Sequence, residues 1–284
     1  MLDPMKKMYA IMGPTASGKS DFAIELAEML GGEIINADSL QVYEDVPLLT
    51  ARPTSKDMQR VPHHLYGFLD AFSKCNMAFW LEKVKEVLDS VAVPIFVGGT
   101  GLYFKALLDG FHDIPDIPPE VRTAVRQMPP EEIKSRLGKD APADPQRMMR
   151  ALEVLEATGK PLSYWHTQPI VKPIEGDFET ILISPPKEVL YERCNQRFQK
   201  MINLGALAEV THLLEKNPDR TGGVFQAIGV SELSDFLEEK KTLEEAIQKA
   251  AQATRNYAKR QGTWFRHQIK PKRTLTEANI KEYL

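Results

Sequence analysis

Gly13-Pro14-Thr15-Ala16-Ser17-Gly18-Lys19-Ser20 is the stretch on which the fold turns. It satisfies G-x-x-x-x-G-K-[ST], and the apolar run Met8–Met12 just before it reads as a short strand. After it, Phe22, Ile24, Leu26, Ala27 and Leu30 fall at helical spacing from Lys19 until Gly31-Gly32 ends the run. Strand, glycine-rich turn and helix together make a phosphate cradle. Successive backbone N–H groups point inward, and the helix adds its positive dipole end. Lys19 would contact the terminal phosphates and the Ser20 hydroxyl would ligate Mg2+. The motif names a polyphosphate and not a reaction. Nucleotide hydrolysis, small-molecule phosphorylation and use of another diphosphate ester all stay open.

Working outward, Glu33–Ala37 reads as a second strand ending at Asp38. Met77, Trp80, Leu81, Val84, Val87 and Leu88 mark a helix within 76–90, and Val93–Val97 is a third buried strand closed by Gly98-Gly99. A further strand is expected at Thr180–Ser184, with a helix from about Lys187. This alternation predicts an α/β fold, a parallel sheet flanked by helices. Between Phe111 and Pro145 the texture changes: seven prolines separate short helical pieces at Val121–Gln127 and Glu131–Leu137. Residues 111–145 are therefore expected to form a small helical insertion or lid, leaving 1–110 and 146–284 as the core.

The chain has 284 residues, 43% of them hydrophobic, with 36 lysines and arginines against 39 acids. A formal charge of -3 excludes a uniformly cationic, histone-like protein but allows a local basic face. Cys75 and Cys194 lie far apart, which argues against a disulfide framework or a cysteine-type zinc site. No apolar run approaches the ~18–20 residues needed to cross a bilayer. The apolar stretch near the amino terminus, about five residues, is too short for a secretory signal. A cytoplasmic protein without membrane contact is expected.

Asp38 stands where doubly wound sheets collect functional groups. The residues alone leave it three roles: a Mg2+ ligand, a base acting on an acceptor beside the phosphates, or a helix N-cap. Near the carboxyl end, Lys249–Arg273 carries eight lysines and arginines and no acid. Leu243, Ala246, Ala250, Ala258, Gln261 and Trp264 fall on one helical face, with Arg255 and Lys259 on another. Such a cluster reads either as a polyanion footprint or as a solvated face.

Several segments together resemble the tRNA dimethylallyltransferase (tRNA isopentenyltransferase) family: GPTASGKS (13–20), NADSLQVY (36–43), TARP (50–53), VPHHL (61–65), VGGTGLY (97–103), DPQRMMRALEV (144–154), FQAIG (225–229) and AKRQGTWFR (258–266). The resemblance implies a P-loop NTPase-like fold that does not use ATP. It implies transfer of a dimethylallyl group from dimethylallyl diphosphate to the exocyclic N6 amine of the adenosine 3′ to the anticodon. The tRNAs concerned read codons beginning with U. Residues 13–20 would hold the diphosphate, with Mg2+ on Ser20, and Asp38 matches the family's base. Lys19 and Thr100 complete the implied catalytic set. Ser39, Leu40, Gln41, Thr100, Arg122, Asp144, Pro145, Gln146 and Arg147 match tRNA-contacting positions, and Arg255 and Lys259 would meet tRNA phosphates. Bland roles stand beside these: Thr100 as a helix cap, Arg122 as a surface cation, and Asp144-Pro145 as N-cap and first-turn proline. A monomer is the family's default.

The chain also departs from the pattern. Arg52 replaces a usual lysine, and Gly229-Val230-Ser231 lacks the usual aromatic and basic residues, for which Arg193 or Arg197 could compensate. The insertion is short, and no zinc finger follows the basic tail, as in bacterial forms. His63 and His64 are expected to pack or hydrogen bond. An adenylate isopentenyltransferase, a small-molecule kinase and a non-catalytic RNA-binding module are the rival expectations.

Overall fold

The structure, a computed structural model, describes residues 6–172, 174–276 and 279–283. Its strands are β1 (Lys7–Met12), β2 (Glu33–Asn36), β3 (His63–His64), β4 (Pro94–Gly98), β5 (Phe111–His112), β6 (Ile170–Val171), β7 (Asp177–Ile183) and β8 (Arg273–Leu275). Its helices are α1 (Lys19–Leu30), α2 (Ser55–Arg60), α3 (Met77–Leu88), α4 (Gly101–Asp109), α5 (Pro119–Gln127), α6 (Pro130–Leu137), α7 (Pro145–Thr158), α8 (Leu162–Trp165), α9 (Lys187–Asn203), α10 (Ala206–Lys216), α11 (Val230–Leu237), α12 (Leu243–Gln268) and α13 (Ile280–Tyr283).

Six strands form one sheet in the order β3-β2-β4-β1-β7-β8, with every pairing parallel. Parallel strands need crossovers, and the apolar stripes predicted at 19–30 and 77–88 supply them. Helix α1 buries Phe22, Ile24 and Leu26 against Ile11, Ile34 and Ile95 of the sheet. It stops where Gly31 turns left-handed at φ 61° and returns its N–H to the Ala27 carbonyl. A second cluster packs helices α9–α12 around Phe198, Val210, Leu213 and Leu233, and it takes in Val42, Tyr43 and Leu49 from the loop after β2. The carboxyl ends of β1, β2 and β4 open beside that loop, so the sheet edge where ligands collect is lined from both clusters. Among the described residues no helix is long and apolar enough to cross a membrane.

The chain divides into two compact units, Asp109–Pro173 and the remainder. The smaller unit extends beyond the expected 111–145 insertion. Its core joins Val125 of α5 and Ile133 of α6 to Met148 and Leu152 of α7, and the antiparallel pairing of β5 with β6 brings the two ends of the unit together. Helix α7 was expected to belong with the larger core. Its buried face instead gives α5 and α6, each with one fully buried apolar residue, the partner they need.

Within the six-stranded sheet, two strands went beyond what periodicity predicts, β3 and β8, because each is only two or three residues long. The basic tail is likewise not one helix. Helix α12 ends at Gln268, Ile269 turns extended, and Pro271 keeps the chain extended into β8 beside β7.

Candidate functional site

Strand β1 delivers the 13–20 loop to the sheet edge, where Gly18, left-handed at φ 87°, opens α1. The Lys19 ammonium folds back over the loop and donates to the Pro14 carbonyl at 3.2 Å. Burial lowers its pKa from 10.5 to about 8, against the opposing pull of Asp38 and with a smaller push from Arg197. The sequence reading has successive backbone N–H groups of the loop pointing inward, but not all of them are aimed at a ligand. Thr15 N–H donates to Gln261 Oε1 at 2.8 Å, and Ser17 N–H donates to the Pro14 carbonyl at 3.3 Å. The first-turn amides of α1 are left by helix geometry as the ligand-facing donors. Thr15 Oγ1 accepts from Arg197 Nη1 of α9 at 2.9 Å, so a second cation sits on the loop. Ser17 Oγ is buried and has no hydrogen-bond partner.

Asp38 follows β2 and lines the same cavity as Lys19. It caps no helix. Its Oδ1 accepts from Leu40 N–H at 3.0 Å, a local turn that holds the carboxylate at the strand end. Fully buried Asn36 fixes this turn from below, accepting Asp38 N–H and donating to the carbonyls of Asp38 and Leu65. The Asn36 carbonyl accepts from the Trp80 indole at 2.8 Å. Tyr66, Tyr103 and Tyr257 surround the carboxylate. Burial, helped by the Asp38 charge, drives all three phenols upward and keeps them neutral (for Tyr103 the Cys75 contact adds to this).

The Thr100 side chain is not a helix cap. Its hydroxyl accepts Ser39 N–H at 2.9 Å and donates to Ser39 Oγ at 3.2 Å, tying the β4–α4 turn to the residue after Asp38. Gln41 and Arg52 stitch the next loop reciprocally. Gln41 donates to the carbonyls of Thr50 and Ala51, and Arg52 donates to those of Tyr43 and Glu44. Glu209 of α10 holds the intervening turn through the amides of Leu48 and Leu49, and burial raises its pKa from 4.5 to about 7.

These elements enclose a cavity of about 650 Å³. Lys19, Ser20, Arg193, Arg197 and Asp38 give it a polar end, while Leu40, Leu49, Phe198, Met201 and Ile228 give it an apolar wall. Of the sequence-predicted residues, Thr15–Ser20, Asp38, Leu40 and Gln41 meet at this cavity. Ser39 and Thr100 stand behind Asp38. Gly13 and Pro14 form the floor of the loop, where a Cβ on Gly13 would meet the Ile183 carbonyl at 2.7 Å. Ser231 is exposed on α11 and does not line the cavity, whereas Arg197 does. His63 bonds the Val61 carbonyl and His64 the Glu33 carboxylate, the structural roles expected of them.

On α12, Lys259 is exposed, while Arg255 is engaged by Asn195 and Gln252. Lys272 and Arg273, counted in the basic run, pair instead with Asp177 and Glu179 of β7. The acid-free run was acid-free in sequence only. In the smaller unit, Asp144 caps α7 by accepting Arg147 N–H, with Pro145 at the first turn and Gln146 and Arg147 exposed. Arg122 lies half-buried on α5, its Nε without a partner. Sequence reasoning passed over Gln261, Glu209 and Tyr257 as site residues. Gln261 appeared only as a member of a packed helical face, and nothing local distinguishes it.

Residues 41–268 match the family described as IPP transferase, and residues 6–66 the one described as isopentenyl transferase. Among curated proteins, the tRNA dimethylallyltransferases of Rhizobium etli and a Bradyrhizobium species are 44% and 45% identical. The alignments cover 91% and 94% of this chain and 93% of each relative. A eukaryotic dimethylallyltransferase acting on tRNA superposes with a TM-score of 0.81 at 27% identity, over 98% of this chain and 75% of that one. The tRNA isopentenylpyrophosphate transferase of Bacillus halodurans gives 0.72 at 31% identity, over 98% and 94%.

Proposed function

The chain belongs to the IPP transferase family, and we propose that the cavity between Lys19 and Asp38 is where it transfers a dimethylallyl group from dimethylallyl diphosphate to tRNA. One observation carries the placement: two cations and a carboxylate, from three separate elements, open onto a single cavity with an apolar wall.

An allylic diphosphate reacts by breaking its C1–O bond, and the electron pair leaves on the diphosphate. Lys19, Arg197 and the first-turn amides of α1 supply the positive field for that charge, already in place before reaction. The Ser17 hydroxyl, buried without a partner, would be satisfied by a phosphate oxygen. The acceptor is the N6 amine of the adenosine 3′ to the anticodon, in tRNAs reading codons that begin with U. Its lone pair forms the new C1–N bond while Asp38 takes the proton, giving N6-(dimethylallyl)adenosine and diphosphate. The base must leave the anticodon stack to reach this depth. Thr100 and Ser39 orient the base-carrying segment, and Leu40 and Gln41 border the entrance. Arg122, Asp144–Arg147, Arg255 and Lys259 are assigned to tRNA contact, and the smaller unit to gripping the tRNA.

A divalent cation fits the donor set. The Ser20 hydroxyl is exposed and lines the cavity, where it would hold the ion, and no group of three or more His, Cys, Asp or Glu ligands exists among the described residues. Diphosphate and water oxygens would then complete the shell, as Mg2+ prefers, and the ion would add charge neutralisation on the leaving group. A cytoplasmic monomer is the assembly proposed.

The test is incubation of the protein with Mg2+, radiolabelled dimethylallyl diphosphate and unmodified tRNA, with Asp38→Ala in parallel. Label should reach tRNA with the wild type only. Label with both proteins would remove Asp38 from its role, and label on free AMP in preference to tRNA would make the substrate a nucleotide.

A further inference from the structure

Gln261 is a polar side chain on the buried face of α12, 6% exposed, flanked along the helix by Ala258 and Phe265. A methionine would fill this space equally well. Burying an amide is costly unless both ends are paired, and here both are. Oε1 accepts Thr15 N–H at 2.8 Å, and Nε2 donates to the Gly99 carbonyl at 2.8 Å. Gly99 makes the approach possible, since a Cβ there would stand 2.2 Å from Nε2. The two partners lie 246 and 162 residues away, at the ends of adjacent strands β1 and β4.

Those loops do different work. Thr15 belongs to the diphosphate cradle and carries Arg197 on its hydroxyl. Gly99 precedes Thr100, whose hydroxyl holds Ser39 beside Asp38. A connected path of hydrogen bonds and short backbone links thus runs from Arg197 through Thr15, Gln261 and the Gly99–Thr100 turn to Ser39 and Asp38. We propose that Gln261 is a positioning residue that sets the spacing between the diphosphate cradle and the carboxylate wall receiving the acceptor amine. It touches neither substrate. Its effect falls on the approach of C1 to nitrogen, where a misplacement of about 1 Å costs on the order of a hundredfold in rate.

The inference rests on the transfer reaction proposed above, and its test separates the two. Single-turnover transfer to tRNA is measured for the wild type, Gln261→Met and Gln261→Glu, with the Kd of dimethylallyl diphosphate and of tRNA determined separately for each. Gln261→Met should slow the single-turnover step by about tenfold to a hundredfold. Both Kd values should stay within about threefold, since no substrate contact is lost. Gln261→Glu keeps an oxygen for Thr15 but loses the donor to Gly99, so its rate should fall between the other two. A wild-type rate in both variants would overturn the proposal. So would weakened binding with an unchanged single-turnover step. If the Met variant does not fold, the ordering of Glu against wild type carries the test. If neither folds, Gln261 belongs to the core and the proposal falls. Absence of transfer by the wild type itself would instead overturn the reaction.

Discussion

The two sides of the cavity are built in opposite ways. The side proposed for the diphosphate is centred on eight consecutive residues between one strand and one helix, to which α9 adds Arg197 and α12 adds Gln261, so most of its geometry is set by local conformation. The carboxylate side has no such unit. Asp38 is held by Asn36, Leu40 and Ser39, which are in turn held by Leu65, Trp80 and Thr100 from other crossovers. A contiguous loop carries most of its own geometry, whereas the acceptor wall exists only once the sheet edge is assembled. Damage to the first should therefore appear in donor affinity, and damage to the second in the rate of transfer.

Asp38→Asn gives the largest contrast. It should lower transfer about 10²–10⁴-fold, the range for losing a general base. The Kd of dimethylallyl diphosphate without tRNA should stay within about threefold of wild type; a large rise in Kd would break the distinction between the two sides.

Lys19 provides the converse. Its pKa lies near 8 because burial disfavours the charged form, so the ammonium is present below pH 8 and lost above it. Affinity for dimethylallyl diphosphate should weaken above pH 8 by up to about tenfold per pH unit, with proton uptake on binding. Calorimetry in buffers of different ionisation heat would record that uptake, and Lys19→Arg should abolish the pH dependence. A flat profile in the wild type would mean that Lys19 keeps its charge across this range.

The outer surface of α12 allows a smaller test. Lys259→Ala should reduce the slope of log K against log salt for tRNA by about 0.7–0.9, one phosphate contact. Lys272→Ala should leave the slope unchanged, because Asp177 and Glu179 already hold that ammonium.

The smallest effect concerns the loop behind Asp38. Glu209 has a raised pKa, so folding favours its protonated form. That contribution is complete below about pH 4.5 and fades as pH rises through about 7. Glu209→Gln should remove this part of the pH dependence of the melting temperature between those values while leaving transfer within about twofold. An unchanged pH profile would mean that Glu209 does not titrate there.

How much was legible follows the same division. The cradle, α1, α3, β1, β4 and the start of α9 could be read from spacing because each is a local pattern of apolar residues. Asp38 was identified as a candidate by its place at a strand end, and as a base by family resemblance. Gln261 could not be recognised, since both its partners lie more than 160 residues away and a buried glutamine on an otherwise apolar face looks like any other packed position. The pairing of Lys272 and Arg273 was hidden for a similar reason: the acids that meet them lie on β7, which precedes them by about a hundred residues. Helix α7 was misplaced because amphipathicity identifies a buried face without saying which partner it packs on.

Strand β1 lies between β4 and β7, yet about 165 residues separate Met12 from Asp177. At roughly 5–20 residues per second of synthesis, one flank of β1 waits about 10–30 s for its neighbour, and the smaller unit is made in between. During that interval the strand carrying the phosphate loop presents an open edge of apolar residues, Met8, Ala10 and Ile11 among them. Translation rate downstream of residue 109 thus becomes a determinant of yield, and slowing the ribosome there should raise aggregation before any change in the finished enzyme is seen.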